Sequence, residues 1–369
     1  MSTGSYFEKQ LRSFVDYNGK VTERERNKIH EDPKEKGSKL RVFKQHTKGI
    51  WNKAGIITVS ILAGWIVFHN TARHIESKKL DGKYDYVEVE GKKIHCRKGG
   101  VGKHTILMLS GYGTPSPIID FKPLTNELTE KYQVVIIEGF GYGYSDDTNK
   151  DRTLDTIDME IHTVLNTLNI KPPYVLLAHS ISGILAHYLA AKHPTEIEAM
   201  IGIEPAVPEY FEHTTISGNS YKETLIQIFG LVRLASIFAP DLITPSEMTT
   251  NYQKKDLESF RRQAVRNYHN DAQRDEFSRY GENGKHTLSL GKNLDLPVLY
   301  FVAENDEPDN KWKQLRLKNL GMYPNGRLIK LKGSHYLHRT RSTEMALKIN
   351  EFLGSAQVCG GAVGQAGQR

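Results

Sequence analysis

Ser180 closes a run of strand length, Tyr174-Val-Leu-Leu-Ala-His179, and opens a helical pattern in which Ile184, Leu185, Tyr188 and Leu189 recur three to four residues apart. A serine at such a junction can do chemistry, because a sharp strand-to-helix turn forces it into a strained backbone conformation and lifts its hydroxyl above the sheet edge. Small residues two positions either side, Ala178 and Ser182, leave room for that turn. The helix start behind the serine offers a free backbone N–H and a positive dipole end to a developing oxyanion. The competing reading of the same residues is a buried serine that caps a helix after a core strand.

A nucleophile needs elements that position it. From Tyr84 onward strand and helix patterns alternate, which predicts a parallel sheet with helices on both faces. Tyr84–Val89 and Lys93–Cys96 flank Glu90-Gly91 as an opening hairpin. Further strands are expected at Thr105–Leu109, Val134–Ile137, Tyr174–Leu177, Ala199–Ile203, Val298–Val302 and Arg327–Leu331. Helices are expected at Asp120–Lys131, Leu154–Leu168, Ile181–His193, Asn310–Leu320 and Thr343–Leu353. The alternation breaks between Pro205 and Pro297, far beyond ordinary loop length. Tyr221–Phe238 reads there as an apolar helix and Lys254–Tyr280 as a charged amphipathic one, so the segment is expected to form a helical cap over Ser180.

The stretch around Ser180 resembles the nucleophile elbow of the α/β-hydrolase superfamily, Gly-x-Ser-x-Gly, with Ala178 and Ser182 in the glycine places and Gly183 one further on. Most of the resemblance lies further along the chain. After Val298–Val302 comes Ala303-Glu-Asn-Asp306, which looks like the Gly-x-x-Asp turn that carries the acid; the resemblance implies Asp306, with Glu304 and Asp309 as alternatives. After Arg327–Leu331 comes Gly333-Ser-His-Tyr336, similar to the Gly-Gly-His-Phe that presents the base; this implies His335, with His338 as competitor. With 15 histidines in the chain no single one carries weight, but a serine, an acid and a histidine at successive strand ends do.

The oxyanion hole implied by the resemblance uses the backbone N–H groups of Ile181 and Tyr112, the latter in Ser110-Gly111-Tyr112-Gly113 where relatives have His-Gly. Glu138-Gly-Phe-Gly-Tyr-Gly-Tyr-Ser-Asp146 resembles the Asp-x-Arg-Gly-x-Gly-x-Ser loop of lid-bearing members, without the arginine, and is expected to shape the sheet edge without doing chemistry. Its glycine spacing does not fit a dinucleotide site. The resemblance covers roughly residues 84–353. It implies an eight-stranded, mostly parallel sheet flanked by helices, with the cap at about 206–296. A serine nucleophile argues against the dehalogenase and epoxide hydrolase branches, which use aspartate.

Composition bounds what surrounds this domain. The net charge is +7, but the excess lies mostly in the first 53 residues, so it belongs to a tail and does not argue for a nucleic-acid-binding face. Residues 1–49 read as a basic, mostly disordered tail, 70–83 as a polar linker and 354–369 as a Gly/Ala/Gln-rich disordered tail. Between them, Ala54–Phe68 runs 15 residues without a charge, with Trp51 and Trp65 towards its ends. We read residues 50–69 as an uncleaved single span of a lipid bilayer, set against a buried core helix as the bland alternative. The basic N-terminal flank puts the N-terminus in the cytoplasm and the catalytic domain outside it. Two cysteines, Cys96 and Cys359, have no metal-ligand spacing, and neither metal nor organic cofactor is expected.

The sequence thus reads as a membrane-anchored serine esterase: Ser180 attacks an acyl carbonyl of a small hydrophobic substrate, and an acyl-enzyme is hydrolysed. Peptidase, thioesterase, C–C hydrolase and perhydrolase activities share the triad. The reading from another class is a non-catalytic protein of this fold that binds a ligand or partner.

Overall fold

The computed structural model describes residues 33–78, 85–212, 221–304 and 311–360, with side chains from Trp51 to Glu76 and, inside those bounds, from Asp85 to Ser355. Two compact units divide the chain, Met1–Ala63 and Gly64–Arg369. A single helix, Pro33–Lys78, runs from one into the other. It extends the expected span in both directions: residues 33–49 and 70–78, read from sequence as tail and linker, are helical. Propagating an existing helix is cheap compared with starting one, and the Lys, Glu and Gln of the flanks are good helix formers. Within it Trp51–Glu76, 26 residues that include an 18-residue stretch of mean hydropathy 1.4, is long and apolar enough to cross a membrane.

The second unit holds an eight-stranded sheet in the order β1-β2-β4-β3-β5-β6-β7-β8. The strands are β1 Asp85–Val89, β2 Lys92–Gly99, β3 Thr105–Leu109, β4 Gln133–Glu138, β5 Tyr174–His179, β6 Ile197–Ile203, β7 Val298–Ala303 and β8 Arg327–Leu331. β1 and β2 form the antiparallel hairpin, turned through Glu90 (φ 51°) and Gly91 (φ 77°). β2 pairs antiparallel with β4, and every later pairing is parallel. β3, β5 and β7 are buried at every position, which is why they read as unbroken apolar runs.

Successive residues of β5 feed opposite cores. Leu176 and Ala178 pack with Ile161, Leu165 and Leu189 from helices Leu154–Thr167 and Gly183–Lys192. Val175 and Leu177 pack with Leu124, Met345 and Ile349 from helices Lys122–Leu128 and Ser342–Gly360. Fully burying each such side chain contributes about 1.5–3 kcal/mol. The helix Ser342–Gly360 runs past Gly354, where the sequence reading began its disordered tail; residues 361–369 of that tail lie outside the described residues.

The inserted segment between β6 and β7 is helical, as expected, but both of its long helices are broken. Tyr221–Phe238 splits into Tyr221–Ile228 and Leu231–Phe238 at Gly230, whose φ is 63°. Lys254–Tyr280 splits into Lys254–Asn267 and Asp271–Ser289. The second break has a purpose in packing: His269 turns through φ 52° and Asn270 caps the next helix by accepting from Gln273 N at 3.0 Å. The break turns Asn267 and Asn270 towards the loop after β4, where they donate to Gly143 O (2.7 Å) and Gly141 O (2.8 Å).

His187 is buried between Tyr300 OH (2.9 Å) and Tyr323 OH (3.2 Å), and burial pushes its pKa down to about 4. Between pH 6.5 and 4 the unfolded chain therefore binds the proton that the fold refuses, so stability must fall as pH drops through that window. We expect the urea midpoint of wild type to decline there by more than that of His187→Gln, which keeps polar groups but does not titrate. Equal declines in both proteins would contradict this.

Candidate active site

β5 delivers Ser180 at its C-terminal end with φ 57°, a left-handed conformation that a non-glycine residue holds only under surrounding constraint. A tight turn over Ser180–Ser182 follows, then the helix Gly183–Lys192. Ser180 O accepts from Ala206 N at 2.7 Å, which fixes the turn to the loop after β6. The two departures from glycine now have a physical account. Ala178 is buried in the sheet, and Ser182 Oγ lies 2.8 Å from both Leu109 O and His179 O, tying the β3 exit to the elbow. The steric demand falls on Gly183, where a Cβ would collide with Ala206 O.

The exit of β3 lies against Ser180. A Cβ at Gly111 would be 3.2 Å from Ser180 Cβ and 3.0 Å from His179 Nδ1, so only glycine lets this loop approach. β3 is also where the chain leaves for β4 on one side and returns to β5 on the other, the switch point at which open α/β sheets place ligands. Tyr112, the next residue, packs its ring on Phe277 and Tyr280 of the cap, with ring centroids 5.3 Å and 5.7 Å away. Behind this loop an apolar cavity of about 100 Å³ is lined by Leu109, Ser110, Ile181 and Leu185. At its polar edge stand the buried Arg152–Glu160 ion pair and Glu276, whose carboxyl burial pushes up while Tyr142 OH and Tyr280 OH donate to it.

His335 follows β8 and stays substantially exposed, while His338 is fully buried. The His335 ring stands 4.8 Å from the His179 ring, centroid to centroid, and His335 O lies 3.1 Å from His179 Nε2. The residue before Ser180 thus contacts the loop that holds His335. Among the described residues the Ser180 hydroxyl has no hydrogen-bond partner; such contacts tighten only when substrate binds.

Among the described residues, the carboxylate in ion-pair range of His335 is Glu204, which sequence reasoning missed. It ends β6 with φ 49°, a second strained non-glycine residue one strand over from Ser180. Its Oε2 lies 3.9 Å from His335 Nδ1 and 2.9 Å from Arg316 Nη1, and its Oε1 accepts from Ala303 N at 2.5 Å. Burial alone would raise the Glu204 pKa; His335, Arg316 and the Ala303 N–H outweigh it and hold the group ionised. A charged residue directly after the buried run Ala199–Ile203 was the available signal. Asp306 and Asp309 lie outside the described residues, and Glu304 is exposed at the end of β7.

Beneath the site lies a second buried network. Asp120 accepts from His338 Nε2 (2.8 Å) and from Arg339 Nε (2.7 Å) and Nη2 (2.6 Å). Burial opposes ionising Asp120, but His338 and Arg339 win and its pKa is lowered. Burial also lowers His179 and His338, aided by their mutual repulsion in the case of His179. Asp120, His179 and His338 have ligand atoms close enough to share a cation. Both Asp120 oxygens are already taken, one of them by a guanidinium, so the donor set does not suit a metal. At the surface, Asp158, His162 and His193 form a similar group. There Lys192 sits 3.1 Å from Asp158, and the Asp158 hydrogen bond raises His162 to about 9, which keeps a proton where a metal would bind.

Residues 104–335 match the family defined by the alpha/beta hydrolase fold. The chain belongs to that family and is an enzyme. It is 26% identical over 326 residues to an uncharacterized protein, YbdG, of Bacillus subtilis (strain 168), covering 83% of this chain and 98% of that one. A shorter match, 33% over 119 residues, is to serine hydrolase BPHL of Mus musculus and covers 31% of this chain and 40% of that one. Among solved structures, Cfl2 from Burkholderia cenocepacia (TM-score 0.57, 18% identity, 74% and 97% coverage) has the same fold. Epoxide hydrolase VrEH1 from Vigna radiata (TM-score 0.57, 16% identity, 76% and 99% coverage) shares it as well.

Proposed function

We propose that the chain is a membrane-anchored serine hydrolase that cleaves an acyl substrate, a carboxylic ester first among them. One observation carries the reading: two strained non-glycine residues, Ser180 and Glu204, follow adjacent strands, with Glu204 in ion-pair range of the His335 ring and that ring against His179, the residue before Ser180. In this reading Ser180 Oγ attacks the carbonyl as His335 removes its proton. The backbone N–H groups of Ile181 and Tyr112 hold the oxyanion. His335 then protonates the leaving alkoxide, and water, deprotonated by the same ring, releases the acid. Glu204 keeps the imidazole in the required tautomer and balances its charge. The similarity to a serine hydrolase supports the nucleophile assignment. The apolar cavity behind the Gly111 loop suits an aliphatic acyl group. In this reading the N-terminus lies in the cytoplasm and the catalytic unit outside it, which the basic residues before the apolar run support.

The choice of acid is directly testable with Glu204→Gln and Asp306→Asn on a p-nitrophenyl ester series. Glu204→Gln is expected to lower kcat by about 10²–10⁴-fold with a small change in KM, and Asp306→Asn by far less. The reverse ranking would move the orienting role to Asp306, the carboxylate that the family resemblance implies. Full activity in both would remove the triad reading.

A further inference from the structure

The end of the long helix is built into the cap. Trp65 Nε1 donates to Phe229 O at 3.0 Å, and His69 Nε2 lies 3.0 Å from Gln227 O. Arg73 donates to Arg266 O through Nε (3.3 Å) and Nη2 (3.2 Å), and Arg233 forms a two-pronged ion pair with Glu76 (2.8 Å and 2.6 Å). The approach is close enough that a Cβ at Gly230 would stand 2.6 Å from His69 Cγ. Four contact points over residues 65–76 make this stretch and the cap helices one packed element.

The cap helix held in this way, Leu231–Phe238, has no buried residue, although six of its eight residues are apolar. Phe238 is 79% exposed and Ile237 57%, and Ile228, Leu231 and Leu242 beside them are also exposed. Isolated exposed aliphatics need no explanation, but a group gathered on one helix pair does. Its position along the helix suggests what covers it. The apolar run ends at Phe68, and Trp65 and Phe68, with ring centroids 5.7 Å apart, are an aromatic pair of the kind that sits at a bilayer boundary. Glu76 lies about 12 Å further on at 1.5 Å per residue. The cap segment Gln227–Arg233 is bonded to residues 65–76, just past the apolar run, where the anchor reading puts the lipid headgroups. A groove beside it is lined by Arg233, Arg261 and Arg262 with Glu76 and Glu258, an arrangement suited to lipid phosphates.

We propose that the outer face of Tyr221–Leu242 lies in the headgroup–acyl boundary of the membrane that the long helix crosses, with Ile237 and Phe238 inserted. The inference rests on the anchor reading above and adds a second, independent membrane contact made by the catalytic unit itself. An enzyme seated in this way takes its acyl substrate from the bilayer and not from bulk water.

The test uses the full-length chain in phosphatidylcholine–phosphatidylglycerol vesicles that contain doxyl-labelled phosphatidylcholine. Cys359 is replaced by Ser; Cys96 is buried, and burial raises its thiol to about 12, so it does not react. A fluorescent label is placed at Ile57→Cys in the span, Phe238→Cys on the cap, or Lys318→Cys on the far helix Lys311–Leu320. All three positions are exposed, so the fold tolerates them. The expected result is loss of most fluorescence at positions 57 and 238, with position 318 unaffected. Quenching at 57 with position 238 as bright as 318 would overturn the cap contact while leaving the anchor intact. Brightness at all three would overturn the anchor and the cap contact together.

Discussion

His335→Ala is expected to lower turnover of an activated ester by about four to six orders of magnitude while the thermal unfolding curve stays where it is. In the proposed mechanism the rate falls because neither other histidine near the site can take the Ser180 proton: His179 is buried and its pKa is pushed well below the ordinary value, and His338 is enclosed with Nε2 committed to Asp120. The fold persists because the His335 side chain is 44% exposed and its only ion-pair partner among the described residues, Glu204, keeps Arg316 and the Ala303 N–H. Residual activity above the uncatalysed rate is expected from the oxyanion donors alone. Loss of less than about tenfold would assign the base elsewhere.

The largest stability effect is expected at Glu138, the last residue of β4, which is wholly buried. Its carboxylate meets His95 Nδ1 at 2.6 Å and accepts from Ser116 Oγ (2.9 Å), Ile118 N (3.2 Å) and Tyr144 N (2.9 Å). Burial would raise its pKa; His95 and the two backbone N–H groups outweigh this and lower it. Gly143 is required opposite it, since a Cβ there would fall on the Glu138 carboxylate. Glu138→Ala removes the acceptor of these four bonds and releases the loop to which Arg266, Asn267 and Asn270 bind the cap. The cost should be roughly 3–5 kcal/mol, a large share of a typical domain's stability. Because the folded pKa is lowered, this contribution is present above the ordinary value of 4.5 and is lost as pH falls through the folded pKa. Denaturant titration of Glu138→Ala checks it; a midpoint close to wild type would contradict the anchoring role.

How each element is buried decided how legible it was in the sequence. Strands buried on both faces leave unbroken apolar runs, as Thr105–Leu109 does; Arg327–Leu331, mostly exposed or half-buried at the sheet edge, has the bounds expected from its alternating apolar residues. The junction at Ser180 was legible because a strand pattern and a helix pattern meet at one residue. The loop at Glu138 was expected to shape the sheet edge; its Gly141 and Gly143 carbonyls accept from the cap, while the Glu138 carboxylate bonds within the loop and to His95. Glu204 was not legible: a carboxylate after a strand has no local mark that separates it from a helix cap, and its partners come from β7, β8 and the helix Lys311–Leu320. The cap breaks at Gly230 and Tyr268–Asn270 were hidden for the opposite reason. Apolar periodicity continued across them, and the signal was in turn chemistry, a glycine and an Asn cap, whose weight depends on what the bend must reach. Continuation of the long helix to Lys78 was masked by polar residues whose faces pack on the cap.

The measurement that tests the central claim most directly is labelling of the detergent-solubilised full-length protein with a fluorophosphonate, which reacts only with an activated serine. Wild type should be labelled covalently at Ser180, Ser180→Ala should not be labelled, and His335→Ala should react far more slowly. A folded wild type that takes no label, or a Ser180→Ala variant labelled as fast as wild type, would contradict the assignment of Ser180 as the nucleophile.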